Sequence, residues 1–204
     1  MLTAFGLLSL LAVGAAHSAS LVEGSAEAGK SKALTCGACH GVDGNSVNPM
    51  WPNVAGQHSV YIYEQLQAFK SGTRSDILMS AQTLALNEQD MRDLAVYFES
   101  QATAAKPVAD VATLESGEQL YRGGDDEAGI PACLACHGPT GRGNPAASYP
   151  SLRGQYAAYT EKQLRDYASG ARKSDGPTKV MRDIAQRLSE KDIVDLASYI
   201  QGLR

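Results

Sequence analysis

The sequence predicts an all-α protein built from two tandem units, and three observations carry that prediction. The first is repetition. Cys36-Gly-Ala-Cys39-His40-Gly41 recurs 97 positions on as Cys133-Leu-Ala-Cys136-His137-Gly138, and Pro52-Asn-Val-Ala-Gly56-Gln57 recurs at an offset of 98 as Pro150-Ser-Leu-Arg-Gly154-Gln155. At that same offset Tyr61, Gln65, Leu66, Ser71, Gly72 and Arg74 match Tyr159, Gln163, Leu164, Ser169, Gly170 and Arg172. The second is helical spacing: Met91, Leu94, Ala95 and Phe98 fall at i, i+3, i+4 and i+7, as do Ile193, Leu196, Ala197 and Ile200. The third is that no alternating apolar–polar run is long enough to make a useful strand. By the last helix the offset has drifted to 102, which places small insertions in loops of the second copy.

Taken in order, residues 1–19 carry no charged side chain, are apolar through Val13 and end in small residues around Ala16-His17-Ser18. This resembles a secretory signal peptide, with cleavage expected between Ser18 and Leu21. The rival is a retained membrane anchor, although the apolar run is shorter than the roughly 20 residues a span requires. Export would place the chain in the periplasm. A first helix is expected near 25–35, a second from Ser59 to Lys70, and a third capped by Asn87 with Asp90 three residues later. The second copy repeats them near 112–122, from Ala157 to Ser169, and behind Ser189 with Asp192. Residues 101–111 hold no large apolar side chain before Val111 apart from Val108 and include Pro107, which suits a linker. The expected organisation is therefore a leader at 1–20, one unit at 21–103 and another at 104–204.

Composition limits the function classes. The 204 residues are 44% hydrophobic and 20% charged, a balance that argues against wholesale disorder and against a membrane-embedded body. A net charge of -4 offers no basic stripe for nucleic acid. The charge is uneven: residues 20–103 carry nine acids against five bases, whereas 104–204 carry thirteen of each. With one Trp and three Phe, two units of this size have few large side chains for their cores, so something else must supply apolar volume.

The duplicated Cys-x-x-Cys-His motif names that something. It is the attachment signature of c-type haem: one helical turn presents two thiols to the two vinyl groups, and the following imidazole turns to the iron. Two other readings compete. Structural zinc would want four soft ligands, with a detached histidine pair as the usual complement. A redox dithiol would want a preceding strand and has no need of the histidine. Two covalent haem c groups, on Cys36 and Cys39 and on Cys133 and Cys136, with His40 and His137 as axial ligands, account for export, duplication and composition together.

The second axial ligand decides between carrier and catalyst. Both thiol pairs are consumed by attachment, His17 lies in the leader, and His58 reads as a surface residue. Methionine is left. Met181 lies 11 residues before Asp192 and Met79 lies 11 before Asp90, so the repeat selects these two. Met91 aligns with Ile193 on an apolar helix face and reads as core, and Met50 aligns with Ser148 and reads as loop. Imidazole and thioether leave iron with no vacant position, and methionine raises the potential, which suits electron transfer.

Two such motifs, each followed by Pro-x-x-x-Gly-Gln and by a methionine about 40 residues on, together with the phrases CGACHGVDGNS, MRDIAQRLSEKDI and SYIQGLR, resemble the dihaem cytochrome c4 family from about residue 22 to 204. The resemblance implies two class I cytochrome c folds related by a pseudo-twofold axis, with haem edges and propionates near the domain interface. It also implies a periplasmic, often loosely membrane-associated protein that passes electrons from the quinol-oxidising side of a respiratory chain toward a terminal oxidase; a monomer is the default expectation. It implies that the carbonyls of Pro52 and Pro150 accept the proximal histidine N–H. Tyr61 and Tyr159 are open between bonding a propionate and packing on the porphyrin, and Arg74 and Arg172 between propionate partners and solvated side chains.

The second copy departs in two places. Gly29 to Cys36 spans 7 positions and Gly117 to Cys133 spans 16, the added stretch being the acidic loop around residues 123–127, either a docking feature or solvated padding. Four further residues precede Met181, between Arg172 and the ligand. Two competing functions remain: the dihaem electron-accepting subunit of a flavocytochrome-type dehydrogenase, and a dihaem peroxidase. The peroxidase needs an iron that opens to substrate, and a methionine at the same register in both copies speaks against it. No catalytic residue is expected.

Overall fold

The computed structural model describes residues 20–204. The expected leader therefore falls outside the described residues. The first half holds α1 (Ala26–Lys32), α2 (Gly37–His40), α3 (Ser59–Ser71), α4 (Ile77–Leu84) and α5 (Glu88–Glu99). The second half repeats the order. A 3-10 turn at Val111–Thr113 runs into α6 (Leu114–Gly123), followed by α7 (Leu134–His137), a 3-10 turn at Pro145–Ala147, α8 (Ala157–Ala168), α9 (Val180–Ala185) and α10 (Glu190–Gly202). The described residues contain no strand, only two isolated bridges, Asp125 with Ile130 and Asn144 with Tyr149. Nor does any described helix have the length and apolarity to cross a membrane.

Each half is organised around its last helix. Asn87 caps α5 and Ser189 caps α10, both as full capping boxes in which Asp90 and Asp192 return the bond to the cap backbone. One face of α5 buries Met91, Leu94, Ala95 and Phe98, and one face of α10 buries Ile193, Leu196, Ala197 and Ile200, as the spacing requires. The first helix of each half then crosses the last at very short range. A Cβ on Gly29 would lie 2.1 Å from the Asp93 carbonyl oxygen, and one on Gly117 would lie 2.4 Å from that of Asp195, so only glycine permits either crossing. The first core gathers Ala33, Ile62, Leu94, Ala95, Tyr97 and Phe98. The second gathers Leu120, Tyr121, Ile130, Leu196, Tyr199, Ile200 and Leu203. Cys36 packs against the first cluster and Cys133 against the second.

The halves meet through hydrogen bonds that obey the repeat. Gln57 accepts from the Ser151 N–H at 2.9 Å and donates to its carbonyl at 2.8 Å. Its mate Gln155 accepts from the Asn53 N–H and donates to the Asn53 carbonyl, both at 2.9 Å. The exchange of equivalent contacts is a pseudo-twofold relation written in single residues. A second pair of repeat mates, Tyr156 and His58, adds bonds across the boundary. Tyr156 donates to the Ser46 carbonyl at 2.7 Å, and His58, expected on the surface alone, donates through Nε2 to the Arg142 carbonyl at 2.6 Å. The connecting segment is tied to both halves, by Thr103 to the Ala55 carbonyl and by Gln201 to the Pro107 carbonyl.

Candidate metal centres

The duplicated motif lies on two short helices. Cys36 is the residue before α2, and Cys39 and His40 lie within it; Cys133, Cys136 and His137 are arranged identically about α7. All four thiols are free and half-buried. Burial pushes the Cys36 thiol upward and that of Cys133 up to about 11. A reactive dithiol needs the opposite shift, so Cys36 and Cys133 are poorly suited to that role. Both histidines are buried, and burial holds their pKa values below the ordinary imidazole range. His40 donates through Nδ1 to the Pro52 carbonyl at 2.9 Å, and His137 to the Pro150 carbonyl at 3.0 Å. A carbonyl can only accept, so Nδ1 carries the proton and Nε2 keeps its lone pair for a metal.

The methionines stand on helices that the sequence pattern did not reveal. Met79 is the third residue of α4, which packs on α3, and Met181 is the second residue of α9, which packs on α8. Both side chains are half-buried. The two discarded methionines are where the repeat places them: Met91 is 2% exposed within the core and Met50 is an exposed loop residue. Thus each motif's cysteines and histidine share one helical turn, while its candidate methionine comes from a separate helix.

Between the halves lies a polar cluster whose members the repeat picked out but whose pairing it did not. Arg74 donates to Gln65 of its own half and, across the boundary, to Tyr159 at 2.9 Å and Gln163 at 2.7 Å. Arg172 mirrors it, donating to Gln163 and, across the boundary, to Tyr61 at 2.7 Å and Gln65 at 3.0 Å. Each guanidinium also covers an aromatic ring at 4.5 Å, Phe69 for Arg74 and Tyr167 for Arg172. Solvation is excluded as their role, since Arg74 is 8% and Arg172 5% exposed. The tyrosines turn their hydroxyls to the opposite arginines. Burial alone would push the Tyr159 phenol up, but Arg74 and Arg172 beside it reverse the direction and draw its pKa below the ordinary value.

These features fit haem. Two buried cations bonded to neutral partners lack the anion that ordinarily accompanies buried charge, and haem propionates are carboxylates of the right sign. The free thiols one helical turn apart and the Nε2 lone pairs complete the donor set.

Comparison with known proteins agrees. A family model described as Cytochrome c matches residues 26–102 and again 114–204. Cytochrome c4 of Stutzerimonas stutzeri is 48% identical over 206 residues, covering 97% of this chain and 96% of the relative. A thiosulfate dehydrogenase electron acceptor of Thiomonas intermedia is 35% identical over 173 residues, covering 83% of this chain and 78% of the relative. The crystal structure of reduced recombinant cytochrome c4 from Pseudomonas stutzeri has a TM-score of 0.87 at 47% identity, covering 89% of this chain and 100% of that one. Its cofactors are two covalently bound haem c groups and its chemistry is electron transfer: the chain belongs to the cytochrome c4 family of tandem-domain dihaem cytochromes c.

Proposed function

We propose that this chain is a periplasmic two-haem relay in a respiratory chain, accepting electrons from a quinol-oxidising complex and delivering them toward a terminal oxidase. In this reading residues 1–20 are a cleaved export signal, 21–103 and 104–204 are the two cytochrome domains, and Cys36, Cys39, Cys133 and Cys136 form the thioether bonds. His40 with Met79 and His137 with Met181 close the two irons. The haem, when bound, changes oxidation state by one electron. The chain's own residues hold each histidine in one tautomer, and the paired arginines supply positive charge to the propionates.

The observation that carries the reading is the sameness of the two centres. His40 and His137 each donate to a proline carbonyl, at 2.9 and 3.0 Å, and Met79 and Met181 stand at the same register before the last helix. Two closed irons suit a relay; a peroxidase needs one to be open. The experiment is reconstitution of the holoprotein with membranes holding a quinol-oxidising complex and a terminal oxidase. Quinol-dependent oxygen uptake that scales with added cytochrome is expected.

A second reading has its own observation, the 35% identity to a thiosulfate dehydrogenase electron acceptor. Here the chain would serve one dehydrogenase as its dedicated acceptor. Stable co-purification with a dehydrogenase, and no stimulation of oxygen uptake by quinol, would favour it over the relay.

A further inference from the structure

Of the two insertions that set the second copy apart, one bonds to the helix that bears Met181 and the other to Arg187, two residues past the end of that helix. In the first copy the chain runs 5 positions from Arg74 to Met79, and the helix start is local. Asp76 accepts from the backbone N–H of Leu78 and of Met79 itself, both at 3.0 Å. In the second copy the run from Arg172 to Met181 is 9 positions, and the residue before α9 is Lys179, which has no capping acceptor and lies in the left-handed region at φ 54°. Helix α9 has 6 residues against 8 in α4, so it starts less well and ends sooner.

The inserted residues supply what the helix lacks. Asp175 accepts from the backbone N–H of Arg182 at 3.0 Å and from its Nε at 2.7 Å, and the same guanidinium donates to the Gly176 carbonyl at 2.9 Å. This ion pair is largely shielded, the Asp175 side chain being 4% exposed and that of Arg182 15%. At the other end, Arg187 donates to the Gly129 carbonyl at 2.7 Å, and Gly129 belongs to the acidic loop inserted before the second haem motif. That loop is closed on itself by the Asp125–Ile130 bridge. Both arginines are also particular to the second copy. At the offset of 102, Arg182 corresponds to Ser80 and Arg187 to Ala85. Each insertion thus arrives together with an arginine that grips it.

We infer that Asp175 and Arg182, seconded by Arg187 on Gly129, are positioning residues for Met181: a brace that holds the second haem's axial thioether where the first copy uses a local helix cap. The inference rests on the proposed assignment of Met181 as ligand. Asp175 neither touches iron nor transfers an electron; it orients the turn from which Met181 projects.

The test uses the holoprotein with both haems attached. Asp175→Ala and Arg182→Gln are compared with Met181→Ala by carbon monoxide binding to the reduced protein and by the sulfur-to-iron charge-transfer band of the oxidised protein. The wild type is expected to ignore the gas. Asp175→Ala is expected to bind it at one haem of the two and to lose about half of the charge-transfer band, matching Met181→Ala, with the first haem unchanged. Arg182→Gln should show the same loss in part, and Arg182→Lys, which restores the charge facing Asp175, should recover toward wild type. Should Asp175→Ala not assemble, the Arg182 pair is read by the same criteria. Loaded variants that stay inert to carbon monoxide and keep the full band, while Met181→Ala opens, would overturn the brace and leave the ligand assignment standing. A Met181→Ala protein indistinguishable from wild type would overturn the assignment itself.

Discussion

The two halves of this chain are near-copies at their shared boundary and differ in how they secure a methionine helix. At the boundary the exchange is reciprocal down to atoms: Gln57 pairs with Ser151 as Gln155 pairs with Asn53, and Arg74 reaches Tyr159 as Arg172 reaches Tyr61. At the methionine helices the solutions diverge, with Asp76 capping α4 locally and Asp175 reaching α9 from an insertion. The difference teaches where a duplicated fold is free to vary. A contact made between copies constrains both at once, since a change in Gln57 or Arg74 costs the partner half its bond. A contact made within one copy constrains only that copy, so a cap can be replaced by a largely shielded ion pair while the methionine keeps its register.

The sharpest way to break the comparison is at the helix crossings, where the halves should behave alike. Gly29→Ala drives a Cβ to 2.1 Å from backbone oxygen and Gly117→Ala to 2.4 Å, and neither carbonyl can retreat without moving α5 or α10. Each substitution is expected to cost about 3 kcal/mol in thermal or denaturant unfolding, with Gly29→Ala the worse. Equal wild-type stability in either would mean that the crossing relaxes easily.

The boundary comes next. Arg172→Gln withdraws the donors to Tyr61 and Gln65, and Arg74→Gln those to Tyr159 and Gln163. A loss of about 2 kcal/mol is expected from each, similar in the two because the contacts are mirrored. Calorimetry is expected to show one transition for the wild type and two for either variant. A loss confined to one variant would show that the symmetry of contacts is not a symmetry of energies.

Acid sharpens the comparison between the last helices. Lys32 and the Ser25 N–H beside Asp93 hold its carboxyl down at about 2, against an ordinary 3.8. A depressed carboxylate adds stability above its unfolded value, and that stability disappears as pH falls from 3.8 toward 2. Asp195 is also lowered, but burial works against its charge most strongly, with Lys191 and Ser116 opposing. Asp93→Asn should therefore flatten the acid limb of the unfolding curve more than Asp195→Asn, as followed by circular dichroism. The smallest effect is expected at the capping boxes, where Asn87→Ala and Ser189→Ala should each cost about 1 kcal/mol.

Much of this was legible in the chain. Helical spacing and cap residues located α5 and α10, the repeat located the histidines and separated Met79 and Met181 from Met50 and Met91, and the motif itself named the cofactor. The methionine helices were harder, because six to eight residues with mixed exposure carry little periodic signal; Asp76, three residues before Met79, is the cap that would have marked α4. The arginine cluster was visible only as a list of recurring polar residues. Its pairing joins Tyr61 to Arg172, and no local pattern encodes a contact over that separation. A clue was available, since Arg, Gln and Tyr recur together in both copies. The grip of Asp175 on Arg182 is hidden for another reason: the first copy offers no template for an insertion, so the repeat falls silent there.

The proposed relay requires both irons to be closed by histidine and methionine. The most direct test is the visible spectrum of the purified holoprotein, oxidised, reduced, and reduced under carbon monoxide. The expected result is a reduced spectrum that carbon monoxide leaves unchanged at both haems. A carbon monoxide adduct at either haem of the wild type would contradict it, and would make Met79 or Met181 a ligand that is absent or readily displaced.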